Sequence, residues 1–90
     1  MEIENLSNWT EVVKGIFAFN ITPKIWYEIH VLYHDAKFKY EGSTAELYLV
    51  GNWTHLPTNV NIFERNKLLT DSLSACIKKA AEHQQDELRE

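Results

Sequence analysis

The chain has 90 residues, of which 44% are apolar and 12% aromatic, and its thirteen acidic side chains exceed its nine lysines and arginines, giving a formal net charge of −4. This size fits one domain with a modest core, and the negative charge argues against nucleic acid as the default partner. A single cysteine excludes an intramolecular disulfide, and no apolar run is long enough to span a membrane. The first residues do not have the pattern of a signal peptide, so we expect a cytoplasmic protein.

The first predicted element is a short helix over residues 8–14. Asn8 fits the N-cap position, Glu11 fits its reciprocal partner in a capping box, and Gly15 fits the position just beyond the helix end. The same Asn-Trp-Thr triplet recurs at residues 52–54, where it follows a strand pattern and a glycine. Because a structural repeat preserves its supersecondary unit, we do not expect the two triplets to mark a repeat.

The next two segments have the alternating pattern of strands. Phe17 and Phe19 alternate with other residues, and a Pro-Lys pair at residues 23–24 predicts a turn after them. A turn of only two residues there would put both phenylalanines on the polar side of the sheet, so we expect a longer or bulged turn. The clearest strand follows at residues 25–34. Its apolar face carries Ile25, Tyr27, Ile29, Val31 and Tyr33, and its other face carries Trp26, Glu28, His30, Leu32 and His34.

Residues 37–41 are predicted to form a further strand, which lies between the preceding strand and the one at residues 44–50. Two-residue turns on either side of this segment place Lys39 between Leu32 and Glu46 on the polar face. Lys39 and Glu46 would then form a cross-strand ion pair. If residues 37–41 do not form a strand, the sheet has three strands.

Residues 51–60 are predicted to form a connecting loop, because a glycine and a proline interrupt the strand pattern. We expect Trp53 and Leu56 to pack under the end of the following helix as part of the core. His55 is a second candidate for ligand binding, since loops of this kind often carry binding residues.

The last segment predicts a long helix that begins near residue 62. It contains no glycine or proline, and Asn61 and Glu64 fit a second capping pattern at its start. Because about 25 helical residues span about 38 Å and a nine-residue strand spans only about 30 Å, residues 84–90 are expected to overhang the sheet and fray, with His83 on the solvated helix end. The predicted core stripe is Ile62, Asn66, Leu69, Leu73, Cys76, Ile77 and Ala80.

These elements predict an α+β fold with two layers for residues 1–90, as a single domain. The sheet is an antiparallel meander of three to four strands, and the long C-terminal helix covers one of its faces. A short N-terminal helix precedes the sheet.

No sequence motif for catalysis or for phosphate binding occurs in the chain. His30 and His34 have a spacing that suits a metal ion on a helix, but on a strand they lie about 13 Å apart, too far to share one ion. Cys76 falls on the buried helix stripe, where a thiol acts as a small apolar side chain. We therefore expect no cofactor, no metal ion and no enzymatic activity.

The uncovered side of the predicted sheet is the best candidate for a functional surface. Large apolar side chains cluster there among charged ones, and tryptophan and tyrosine are common interface anchors. The candidate protein-binding residues are Trp26, His30, Leu32, Lys39, Glu46, Tyr48 and Val50.

This surface predicts a small acidic, non-catalytic module that modulates or inhibits a larger protein with a basic surface. One alternative is a homodimer in which the same surface is its own partner. Another is single-stranded nucleic acid, held by Lys37 and Lys39 beside aromatic rings, although the glutamates of this surface disfavour it. A further alternative is that the N-terminal segment folds over the surface and covers Trp26. No membrane partner is expected.

Overall fold

A computed structural model describes residues 2–32, 43–62 and 66–88, and shows an open antiparallel sheet with one long helix on it. The α+β fold with two layers is confirmed. Within these described ranges the sheet has five strands in sequential order, each antiparallel to its neighbours, so the prediction of three to four strands was too low. The elements are a 3-10 helix at Leu6–Asn8, β1 at Thr10–Val13, β2 at Ile16–Asn20, β3 at Trp26–Leu32, β4 at Ser43–Val50, β5 at Thr54–Ile62 and α1 at Asn66–Leu88.

The predicted helix over residues 8–14 is wrong, because most of this range is strand β1. Asn5 rather than Asn8 caps a single 3-10 turn, and the Asn8 amide instead donates to the Glu2 carbonyl at 2.8 Å. The Glu11 carboxylate accepts a hydrogen bond from the Gly15 backbone N–H at 3.1 Å, across the turn that joins β1 to β2. Of the two side chains that fit a capping box, Glu11 therefore stabilises the β1–β2 hairpin, and Asn8 holds the N-terminal segment.

The β2–β3 hairpin has the longer turn that the sequence predicts. Strand β2 ends at Asn20 and β3 begins at Trp26, which leaves residues 21–25 for the turn. With this spacing Phe17 pairs with Ile29 and Phe19 with Tyr27, so both phenylalanines point to the apolar face.

Strands β3 and β4 pair directly with each other. His30 is opposite Glu46, and Leu32 is opposite Thr44. Strand β4 has β3 on one side and β5 on the other, so the predicted register, which inserts residues 37–41 beside β4, is wrong. Residues 37–41 themselves, and the predicted ion pair of Lys39, lie outside the described residues.

Most of the predicted loop at residues 51–60 belongs to strand β5, and only residues 51–53 form a turn. Helix α1 begins at Asn66 rather than near residue 62. Pro57 is compatible with a strand here, since β5 is an edge strand and the β4–β5 register is irregular opposite this proline. The helix-start pattern at Asn61 is therefore part of a strand.

The core lies between the sheet and α1. Leu73, Cys76, Ile77 and Ala80 are buried, as the predicted stripe requires. They pack with sheet residues that include Tyr27, Ile29, Val31, Ala45, Leu47 and Leu56. We call this side of the sheet the core face.

The N-terminal segment also packs on the core face. The Trp9 indole N–H donates to the Ile3 carbonyl at 2.8 Å, and its ring lies 5.5 Å from that of Phe19. Ile3 and Trp9 belong to the same buried cluster as the helix residues, and Leu6 packs against it. The alternative in which this segment covers the other side of the sheet is therefore wrong.

The C-terminal part of α1 is tied to the sheet. His83 is half-buried, and its Nδ1 is hydrogen-bonded to the Tyr27 hydroxyl at 2.7 Å, so its predicted place on a solvated helix end is wrong. The helix continues to Leu88, and the fraying of residues 84–90 stays a prediction. No helix among the described residues has the length and apolar content needed to cross a membrane.

Candidate binding face

The candidate site is the side of the sheet opposite α1, which we call the open face. Backbone alternation in β3 and β4, and the pairing of Tyr48 with His55, place side chains from three strands on it. Its central residues are Trp26, Glu28, His30 and Leu32 on β3, Thr44, Glu46, Tyr48 and Val50 on β4, and His55 on β5.

Glu28 organises the β3 part of the open face. One of its carboxylate oxygens accepts the Trp26 indole N–H at 2.6 Å, and the other is hydrogen-bonded to His30 Nε2 at 2.7 Å. The Glu28 side chain is 18% exposed, so it keeps some access to solvent beside the two rings that it holds. Both rings are thereby fixed on the surface before any partner binds.

A row of three rings crosses the open face from β3 to β5. The ring centroids of His30 and Tyr48 are 4.7 Å apart, and those of Tyr48 and His55 are 4.9 Å apart. Both pairs are tilted rather than parallel. We call His30, Tyr48 and His55 the ring row.

Tyr48 is oriented by a second carboxylate. Its hydroxyl donates to Glu46 at 2.6 Å. This hydrogen bond raises the pKa of the Tyr48 hydroxyl, and partial burial and the negative charge of Glu46 raise that pKa further. The hydroxyl therefore stays protonated well above neutral pH and keeps its orientation.

The charge of the open face is negative. Glu28 and Glu46 lie on it, and no lysine or arginine does so among the described residues. His30 becomes the positive partner of Glu28 only when it is protonated. The described part of this surface thus has the sign of the whole chain, whose net charge is −4.

The structure brings together four of the seven predicted residues, namely Trp26, His30, Glu46 and Tyr48, through the contacts just described. Leu32 lies at the end of β3 and is 40% exposed, as expected. Lys39 lies outside the described residues.

Val50 occupies the open face by register but is only 4% exposed, so its predicted exposure is wrong. The turn between β2 and β3 lies against this end of β4, since a Cβ on Gly51 would be 2.5 Å from the Lys24 carbonyl oxygen. Val50 therefore lies on the open face but offers almost no exposed surface to a partner.

His55 was predicted as a loop residue, whereas the structure makes it the exposed end of the ring row. The sequence does contain a signal for its strand, because Leu56, Val60 and Ile62 follow the two-residue period around Pro57. Glu28, whose carboxylate joins two predicted site residues, was placed on the correct face but not among the binding residues.

Trp53 lies in the turn between β4 and β5. It is 80% exposed and has a φ of 51°, so the prediction that it packs under the helix is wrong. A left-handed conformation is uncommon for a bulky side chain, and here it turns the chain tightly from β4 into β5. Leu56, which was predicted to pack beside it, is buried in the core.

No group of three or more histidine, cysteine or carboxylate side chains within the described ranges is arranged to hold a metal ion. A cleft of about 350 Å³ lies elsewhere, between the N-terminal segment and α1. It is lined by Glu2, Ile3, Glu4, Ala81, Gln84 and Gln85, none of which belongs to the open face.

The chain has no significant match to any protein-family model, curated protein or solved structure with which it was compared.

Proposed function

We propose that this chain is a small, acidic, non-catalytic module that binds a larger protein through the open face and thereby modulates or inhibits it. The observation that carries the proposal is the ring row, in which His30, Tyr48 and His55 form a continuous surface across three strands. Aromatic side chains give large contact areas at low conformational cost, and fixed rings need little further ordering on binding.

The surroundings of the ring row support the same proposal. The Glu28 and Glu46 hydrogen bonds orient His30 and Tyr48 of the ring row, and Leu32 adds an exposed apolar side chain at one end of the surface. The helix and the N-terminal segment both pack on the core face, so neither of them occupies this surface.

Two alternatives have less support. Single-stranded nucleic acid needs a positive surface, whereas the described part of the open face has two glutamates and no lysine or arginine. A homodimer through the open face would juxtapose like charges from Glu28 and Glu46 of both copies. A larger partner of opposite charge fits this surface better, and a cytoplasmic location would be consistent with the free, buried Cys76.

The test is affinity capture from a lysate of the source organism with matched surface variants. The site variant combines Leu32→Asp with His55→Ala, since both side chains are exposed and their loss leaves the core intact. The control is Val12→Asp, which also replaces an exposed aliphatic side chain by a carboxylate but lies on β1, at the sheet edge. Circular dichroism first establishes that all three proteins are folded.

We expect a protein that is captured by the natural chain and by the Val12→Asp control but not by the site variant. Size-exclusion chromatography with light scattering gives the molar mass and distinguishes a heteromeric partner from a second copy of the chain. Equal capture by the natural chain and the site variant would refute the open face as the binding surface. A concentration-dependent dimer that the site variant abolishes would favour the homodimer instead.

A further inference from the structure

The two carboxylates of the open face lie diagonally across neighbouring strands. Glu28 is opposite Tyr48, and Glu46 is opposite His30, so the two glutamates are offset by two positions along the β3–β4 ladder. Diagonal neighbours in an antiparallel pair are about 7–8 Å apart. Alternate side chains of an extended peptide project to the same side at about 6.6–6.8 Å. Two alternate side chains of such a peptide therefore match the spacing of the two carboxylates.

Both carboxylates are fixed and can accept further hydrogen bonds. Trp26 and His30 hold Glu28, and Tyr48 holds Glu46. In the part of the chain that the structure describes, neither glutamate is within salt-bridge distance of a lysine or arginine. Each carboxylate oxygen has two acceptor positions, so these bonds leave room for donors from a partner.

The ring row beside the carboxylates favours arginine over lysine. A guanidinium is planar, stacks on aromatic faces and donates two parallel hydrogen bonds to a carboxylate. A lysine ammonium is more strongly hydrated and has no planar surface to stack on the rings. His30 and Tyr48 each lie next to one of the two carboxylates that would receive these bonds.

We propose that the open face recognises an extended segment of the partner protein that carries arginines at alternate positions, with Glu28 and Glu46 as the two guanidinium acceptors. This inference rests on the proposed function and specifies the partner's chemistry. The complementarity of charge supports it, because the two carboxylates lie on a face without described lysine or arginine in a chain of net charge −4.

The test uses two synthetic peptides of equal length, one alternating arginine with threonine and the other alternating lysine with threonine. Each is titrated into the full, isotope-labelled chain, and amide chemical shifts give both the affinity and the contact surface. The site variant is Glu28→Gln with Glu46→Gln. The control is Glu4→Gln with Glu82→Gln, which removes the same charge from exposed positions outside the open face.

We expect the arginine peptide to bind at least about tenfold more tightly than the lysine peptide, with shifts on β3, β4 and β5. The site variant should weaken arginine-peptide binding at least about tenfold, and the control less than about threefold. If the double variant is not folded, Glu46→Gln alone should still weaken binding, since glutamine keeps an acceptor for Tyr48.

Absence of binding to either peptide, equal affinity for both, or equal weakening by the control would overturn the arginine inference. The proposed function is tested separately by the captured partner. If that partner is lost with the Leu32→Asp and His55→Ala variant but kept with Glu28→Gln and Glu46→Gln, the open face is a binding surface and the arginine inference is wrong.

Discussion

Truncating a leucine to alanine should lower the free energy of unfolding much more on the core face than on the open face. Leu47→Ala and Leu32→Ala test this difference directly. Both leucines lie on central strands, but Leu47 is completely buried on the core face and Leu32 is 40% exposed on the open face. Leu47 has Ile29 and Leu56 as its cross-strand neighbours, and both are buried.

The magnitude for Leu47 follows from its surroundings. Removing a buried leucine side chain to alanine costs the transfer free energy of the lost carbons and a cavity term, together about 3–5 kcal/mol. The neighbours on both sides are sheet residues, whose backbone is fixed by the ladder, so little collapse into the cavity is expected. For a domain of this size, whose total stability is about 5–13 kcal/mol, a loss of 3 kcal/mol lowers Tm by about 12–24 °C. Leu32→Ala should cost less than about 1 kcal/mol.

Urea unfolding followed by circular dichroism gives both losses, and an unchanged m-value verifies that the unfolded states remain comparable. Equal losses for the two variants would refute the assignment of the core and open faces. Equally large losses would also remove Leu32 from the proposed binding surface, because a buried Leu32 could not contact a partner.

Three further outcomes test other parts of the molecule. Burial raises the pKa of the Cys76 thiol to about 12, so a thiol reagent at neutral pH should react only at the rate of unfolding, and rapid labelling of the native chain would contradict this. Glu46→Gln should lower the pKa of Tyr48 toward its ordinary value, which NMR of the ring carbons measures. Because the folded-state pKa is raised, this hydroxyl contributes fully to stability below the unfolded-state pKa of about 10. Its contribution disappears as the pH rises through the folded-state pKa. Gly51→Ala should destabilise the fold by about 2–4 kcal/mol in urea unfolding, since Gly51 has a φ of 106° and the added Cβ would lie 2.5 Å from the Lys24 carbonyl oxygen. A loss below about 1 kcal/mol would show that the β4–β5 turn and the β2–β3 turn are not in contact.

The parts of the fold that could be predicted are those with a clear local period. The alternation from Trp26 to Leu32 identifies a strand and both of its faces, and the stripe from Leu73 to Ala80 identifies the buried side of the helix. The longer β2–β3 turn was also predictable, because only that spacing keeps Phe17 and Phe19 in the core.

The missed strands show where local patterns mislead. Asn8 and Glu11 have the spacing of a capping box, yet a four-residue edge strand forms there because β2 offers a pairing partner that no local rule includes. Gly51 and Pro57 suggested one continuous loop, but the glycine belongs to the turn and the proline is accommodated by an edge strand.

The side of the sheet that carries the candidate site was predictable, but its full membership and its geometry were not. Alternation alone places Trp26, His30 and Tyr48 on one side of the sheet. It does not indicate that Glu28 bridges two of the predicted side chains, since that depends on rotamers and on distances of 2.6 and 2.7 Å. His55 joined the site only once β5 was known to pair with β4.

The repeated Asn-Trp-Thr triplet shows how strongly the surrounding chain determines the role of a residue. In the first copy Trp9 is buried against Phe19, and its indole N–H is satisfied by the Ile3 carbonyl. In the second copy Trp53 follows a glycine of positive φ, adopts a left-handed conformation itself, and is 80% exposed at a hairpin turn. The triplet is identical, so the difference arises from the backbone: a capped 3-10 turn directs the first ring into the core, and a tight β-turn directs the second into solvent.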